Sequence, residues 1–142
     1  MRFMMIVKAN RDSEAGVMPS ERLLAEMGRF NEEMVAAGVM LAGEGLQPSS
    51  KGARVRFSGG EPTVTDGPFA DANDLIAGYW LIQTSSKAEA VAWAMRCPCP
   101  HEDGEAEIEI RQVFEAEDFG AELTPELRAQ EERLRARIAD PS

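Results

Sequence analysis

Apolar residues run without alternation through Phe3-Met4-Met5-Ile6-Val7, which predicts a first strand over residues 2–8. Leu23, Met27, Phe30 and Met34 then repeat at i, i+4, i+7 and i+11, the period of a helix with one buried stripe. Ser20 is the expected N-cap and Gly38 the expected stop. Residues 39–46 predict a second strand. Short β segments at 54–58 and 63–65 flank Gly59-Gly60, a hairpin signal. On the first of them Arg54 and Arg56 share one face, and Val55 and Phe57 the other. Residues 75–84 predict a further strand. Ser86-Lys87-Ala88-Glu89 then has the form of a capping box, opening a helix with the stripe Ala88, Val91, Ala92 and Met95 that Pro98 ends. A final strand is expected over 105–114. Thr124-Pro125-Glu126 opens a third helix, whose stripe of Leu123, Leu127, Leu134 and Ile138 is narrow.

Without the tail the order is βα, a strand with a hairpin excursion, then βαβ. That is the split βαβ of a ferredoxin-like α+β fold, with two helices over one face of an antiparallel sheet. The division expected is a domain at 1–115 and a helical extension at 116–142. Strands 2–8 and 75–84 are apolar on both faces, whereas a sheet with one wet face alternates. Two helices cover one face only. A second copy of the chain is the economical cover for the other, so a homodimer is expected.

Thr65-Asp66-Gly67-Pro68-Phe69 is the most distinctive stretch for chemistry. Glycine and proline restrict the backbone around Asp66, so its carboxylate is expected to be fixed and available as a general acid or base. The competing assignment is an Asx turn, with the side chain bonding its own backbone. Glu44 lies between Gly43 and Gly45, which permit close approach of backbone or ligand, against the alternative of an ordinary surface glutamate at a strand end. Arg54, Arg56 and Arg111 are candidates to bind a carboxylate or phenolate through bidentate guanidinium bonds, against the alternative of a solvated strand face. Tyr79, the only tyrosine, lies in a strand among apolar residues and needs a partner for its hydroxyl if buried.

Asp66-Gly67-Pro68-Phe69 also carries a family resemblance. Together with Leu41-Ala42-Gly43-Glu44-Gly45-Leu46, Gly52-Ala53-Arg54-Val55-Arg56-Phe57, Gly78-Tyr79-Trp80-Leu81-Ile82, the helix bearing Ala90, Trp93 and Ala94, and Ile108-Glu109-Ile110-Arg111, it resembles the YCII-related proteins, in particular their DGPF-domain branch. The resemblance covers about residues 1–115. It implies a dimeric α+β barrel with sheets packed face to face, and it strengthens Asp66 as a functional residue. Some YCII-like proteins are thought to use a His–Asp pair with the histidine on the first helix. The helix after Ser20 has no histidine here, so acid–base catalysis would rest on carboxylates or be absent. DGPF relatives also occur beside sigma-factor-like regulators, which gives the rival reading: a non-catalytic interaction or regulatory module.

The net charge of −10 argues against nucleic acid, since phosphate binding needs clustered Lys and Arg. No apolar run is long enough for a membrane span, and the N-terminus lacks the form of a signal peptide, so the cytoplasm is the expected compartment. Cys97 and Cys99 are separated by one residue, too few for an unstrained disulfide. With His101, the sole histidine, they have poor spacing for zinc, so no metal is expected, and His101 is assigned to a proline-rich acidic surface loop. No cofactor motif is present. The expected activity is small-molecule binding with lyase or isomerase chemistry at Asp66, on a small anionic or phenolic ligand.

Overall fold

The computed structural model describes residues 1–71 and 74–141. They form two compact units, Met1–Gln112 and Val113–Ser142.

In the first unit, β1 (Arg2–Lys8), β2 (Met40–Gly45), β5 (Ile76–Gln83) and β6 (Ile108–Gln112) make one antiparallel sheet in the order β2-β5-β1-β6. β3 (Ala53–Arg56) and β4 (Thr63–Asp66) form a separate two-stranded ribbon. A short α1 (Arg11–Glu14), then α2 (Glu21–Ala36) and α3 (Lys87–Arg96), complete the unit. This is the ferredoxin-like α+β order.

β1 and β5 sort by register. Phe3 pairs with Ile82, Met5 with Trp80 and Val7 with Gly78, and all six residues are buried. Phe30 and Met34 of α2 and Ala90 of α3 join them in the core. Trp80 meets Phe30 edge-to-face at 5.6 Å and donates its indole N–H to Asn31 Oδ1 at 2.9 Å, so the ring's one polar atom is satisfied inside an apolar wall. Gly43 makes room for this ring: a Cβ there would lie 2.7 Å from Trp80 Cδ1.

The stripe expected on α2 is the one that packs, with Ser20 Oγ accepting from the Leu23 N–H as cap. That expected on α3 is not. Ala90, Trp93, Ala94 and Cys97 face the core, while Met95 is 80% exposed and Val91 points partly to solvent. Trp93 has the largest apolar surface on the helix and packs at 6.4 Å from Phe30, which sets the helix's rotation. The capping box at Ser86 is also half-formed. Ser86 Oγ accepts from the Glu89 N–H, but the Glu89 carboxylate takes the N–H of Ser85, one residue further out. β3 and β4 are joined by residues 57–62 rather than by a tight turn at Gly59-Gly60. α1 escaped the sequence reading because a single helical turn has no periodicity; Asn10 and Ser13 cap it reciprocally.

The second unit holds α4 (Pro125–Ala139), capped by Thr124 Oγ1 accepting from the Leu127 N–H. Phe114 and Phe119 stack at 5.0 Å, and Arg128 reaches the Ala116 carbonyl at 3.5 Å. No helix among the described residues is long and apolar enough to cross a membrane.

Candidate functional site

The residues singled out by sequence fall on different surfaces of the first unit. Asp66 is the last residue of β4, paired with Ala53, and is exposed. Arg54 pairs with Thr65 and Arg56 with Thr63, so both arginines lie on the opposite ribbon face from Asp66. The turn after Asp66 is tightly built. The Gly67 N–H donates to the Gly52 carbonyl at 2.9 Å, and the Gly67–Pro68 peptide is cis. A Cβ on Gly67 would sit 1.8 Å from the Ser49 carbonyl oxygen, so only glycine fits. The Phe69 N–H donates to Ser49 Oγ at 3.0 Å, and Ser49 in turn gives its hydroxyl and its N–H to the Glu14 carboxylate. The Phe69 ring carries the Arg54 guanidinium at 3.8 Å. The motif thus ties the ribbon to α1 through Ser49.

Glu44, Tyr79 and Arg111 share the face of the four-stranded sheet away from the helices, but only Glu44 and Tyr79 are cross-strand neighbours; Arg111 lies on β6, two strands from Tyr79. Trp80 and Gly43 point to the helices, so alternation sends Tyr79 and its cross-strand partner Glu44 the other way. The same face carries Met4, Ile6, Leu81, Glu109 and Arg111 in register. Arg111 donates to Glu109 at 3.4 Å, and Lys8 reaches the same carboxylate at 3.4 Å. Hydrogen bonding from Arg111 first, then the Lys8 charge, holds the Glu109 carboxyl below its usual range.

A cleft lined mostly by other residues lies elsewhere. It has a volume of about 590 Å³ and opens between α2, the β2–β5 edge and the loop around residue 101. Leu23, Leu24, Met27 and Trp80 supply apolar walls; Asn31, Asp12 and His101 are polar groups at its surface. Glu44 and Tyr79 line part of it, while Asp66, Arg54, Arg56 and Arg111 do not. No lysine or arginine is among the lining residues.

His101 is the residue that sequence reasoning missed. Its Nε2 lies 2.8 Å from the Lys8 carbonyl oxygen. A carbonyl only accepts, so Nε2 donates, and in the neutral ring Nδ1 is left as the acceptor. The next residue fixes the loop: Glu102 Oε1 accepts the Ser20 N–H at the start of α2, at 2.8 Å. Hydrogen bonds from Ser20, first through its side chain and then its backbone, lower the Glu102 carboxyl pKa. The carboxylate also suits the positive end of the helix dipole. No local signal marks His101, because the partner of its ring comes from β1.

Cys97 is half-buried and Cys99 exposed, both as free thiols. Burial, with Cys99 adding to it, pushes the Cys97 thiol up to about 12. No metal-holding cluster of His, Cys, Asp and Glu occurs among the described residues.

Comparison with known proteins fits this architecture. A stretch of 74 residues is 34% identical to an uncharacterized protein of Rhizobium meliloti (strain 1021), covering 52% of this chain and 60% of that relative's length. The model of the YCII-related domain matches residues 1–117, which take in the four-stranded sheet, the ribbon, the cleft and α1–α3; the chain belongs to the YCII-related family.

Proposed function

We propose that this chain binds a small molecule in the cleft between α2 and the sheet, and that His101 exchanges protons with it. The observation that carries this reading is the His101 ring, anchored through Nε2 at the wall of a cavity in the size range of ligand pockets. With Nε2 bonded to a carbonyl, Nδ1 is the nitrogen with proton-accepting capacity in the neutral ring. Proton transfer of this kind is the step shared by lyases and isomerases acting without a cofactor. Of the two ligand types expected from sequence, the phenolic one suits a cleft with apolar walls and no lining cation; a carboxylate would enter without a counter-charge. Asp66 then serves the ribbon's attachment, and the arginines serve packing and pairing.

A homodimer through the open sheet face belongs to the same proposal. Met4, Ile6 and Leu81 form an apolar stripe there, flanked by Glu109 and Arg111, and a second copy of the same face would bury it.

The test is a thermal-shift screen of small phenolic and carboxylic compounds, repeated on His101→Gln and Asp66→Asn. Phenolic hits lost in His101→Gln and kept in Asp66→Asn support the cleft. Hits lost in Asp66→Asn and kept in His101→Gln return the site to the Asp66 turn.

A further inference from the structure

The family match ends at residue 117, before α4 begins, so this helix is an addition that the YCII domain does not account for. Its apolar residues are few and aligned. Leu127, Leu134 and Ile138 fall within about 40° of arc on a 3.6-residue helix, and the stripe runs about 17 Å along the axis. They are 47%, 51% and 80% exposed. The charges beside that stripe are not mixed at random. Glu126, Glu131 and Glu132 occupy the first half of the helix, and Arg133, Arg135 and Arg137 the second. Arg128 is the exception, and it is turned toward Glu117 and the Ala116 carbonyl within its own unit.

We propose that α4 is a self-association element that pairs antiparallel with α4 of a second copy. Antiparallel pairing about the midpoint of the stripe sets Leu127 across from Ile138 of the other copy. It brings Glu126 on one flank beside Arg137, and Glu131 on the other flank beside Arg135. A parallel pair would instead set opposite flanks against each other and bring Glu126 of one copy beside Glu131 of the other, like charges at contact distance. Opposed helix dipoles favour the same arrangement. The Glu131–Arg135 ion pair within the helix, at 2.9 Å, keeps both side chains on the flank where the other copy would arrive. Three apolar residues per helix make a weak contact alone, so α4 is a clasp that adds to association rather than its sole source. This inference rests on α4 alone and is independent of the ligand reading and of the sheet-face dimer.

The test is disulfide trapping in the full chain. In a background carrying Cys97→Ala and Cys99→Ser, confirmed by an unchanged circular dichroism melt, Leu127→Cys and Ile138→Cys are made singly; both sites are exposed, so the fold tolerates them. Under mild oxidation the mixture of the two proteins should give a dimer linked between positions 127 and 138, at least tenfold more than either protein alone. A second readout is charge reversal: Glu126→Arg should weaken trapping, and Arg137→Glu in the other protein should restore it. Efficient self-trapping of Leu127→Cys, as a parallel pair would give, overturns the proposal. So does the absence of trapping in every combination, as would follow if α4 packs against its own chain.

Discussion

The Asp66 turn and the loop at residues 97–102 make opposite impressions in sequence and in space. The turn is the most distinctive stretch of the chain, yet its backbone-restricting residues are spent on attachment. Gly67 leaves room for the Ser49 carbonyl, the Phe69 N–H meets Ser49 Oγ, and the Phe69 ring carries Arg54. The loop reads as a proline-rich acidic surface segment, yet it delivers His101 to the wall of the cleft beside α2, where the ring bonds the Lys8 carbonyl and the next residue, Glu102, bonds the Ser20 N–H. A motif that restricts its own backbone is visible in one dimension. A side chain whose partner comes from β1, far away in sequence, is not.

This contrast can be broken at either end. The largest effect is expected from Gly67→Ala. The new Cβ would collide with a backbone oxygen that cannot step aside as a side chain would, so the variant should lose about 3 kcal/mol and melt roughly 10 °C lower. A melt within a degree or two of wild type would show that the turn is not a rigid attachment.

At the loop, Glu102→Gln should leave the melt nearly unchanged, because the carboxylate is exposed, while weakening any ligand shift that depends on the position of His101. The acid limb follows from the same contact. The folded carboxyl titrates below its unfolded value, so the tie is present above the ordinary carboxylate range near pH 4.3 and is lost as pH falls through the lower folded value. Thermal shifts measured from pH 6 to pH 3 should therefore lose a component in the acid range that Glu102→Gln lacks.

The loop's two thiols offer a finer probe. Cys97 is pushed up to about 12 and half-buried, while Cys99 is exposed, so a disulfide reagent at pH 8 should label Cys99 quickly and Cys97 at least tenfold more slowly. Equal rates would mean that the loop opens readily and that His101 is not held.

The smallest effect belongs to Asp66→Asn. The side chain is exposed, and one hydrogen bond at most is at stake, so the change should cost about 1 kcal/mol or less.

Most of the fold was legible because it rests on periodicity. The α2 stripe, the succession of elements along the chain and the Ser20 and Thr124 caps are read from residues a few positions apart. The rotation of α3 was not, because Ala88, Val91, Ala92 and Met95 and the set Ala90, Trp93, Ala94 and Cys97 are both helical stripes, and the choice was made by Trp93 meeting Phe30. The candidate site was legible only in part. Glu44 and Tyr79 border the cleft from strands β2 and β5, but alternation turns them toward the other sheet face, and what brings His101 to the cleft is contact over a sequence separation of 93 residues, from Lys8.

Because His101 is the sole histidine, its imidazole C–H resonances identify themselves in a proton NMR spectrum. The most direct test is to titrate a thermal-shift hit into wild type and Asp66→Asn while following those two signals. The ligand should move the His101 resonances in a saturable way and with similar affinity in both proteins. A ligand that binds, leaves the His101 signals in place and is lost in Asp66→Asn would contradict the assignment of the site to the cleft.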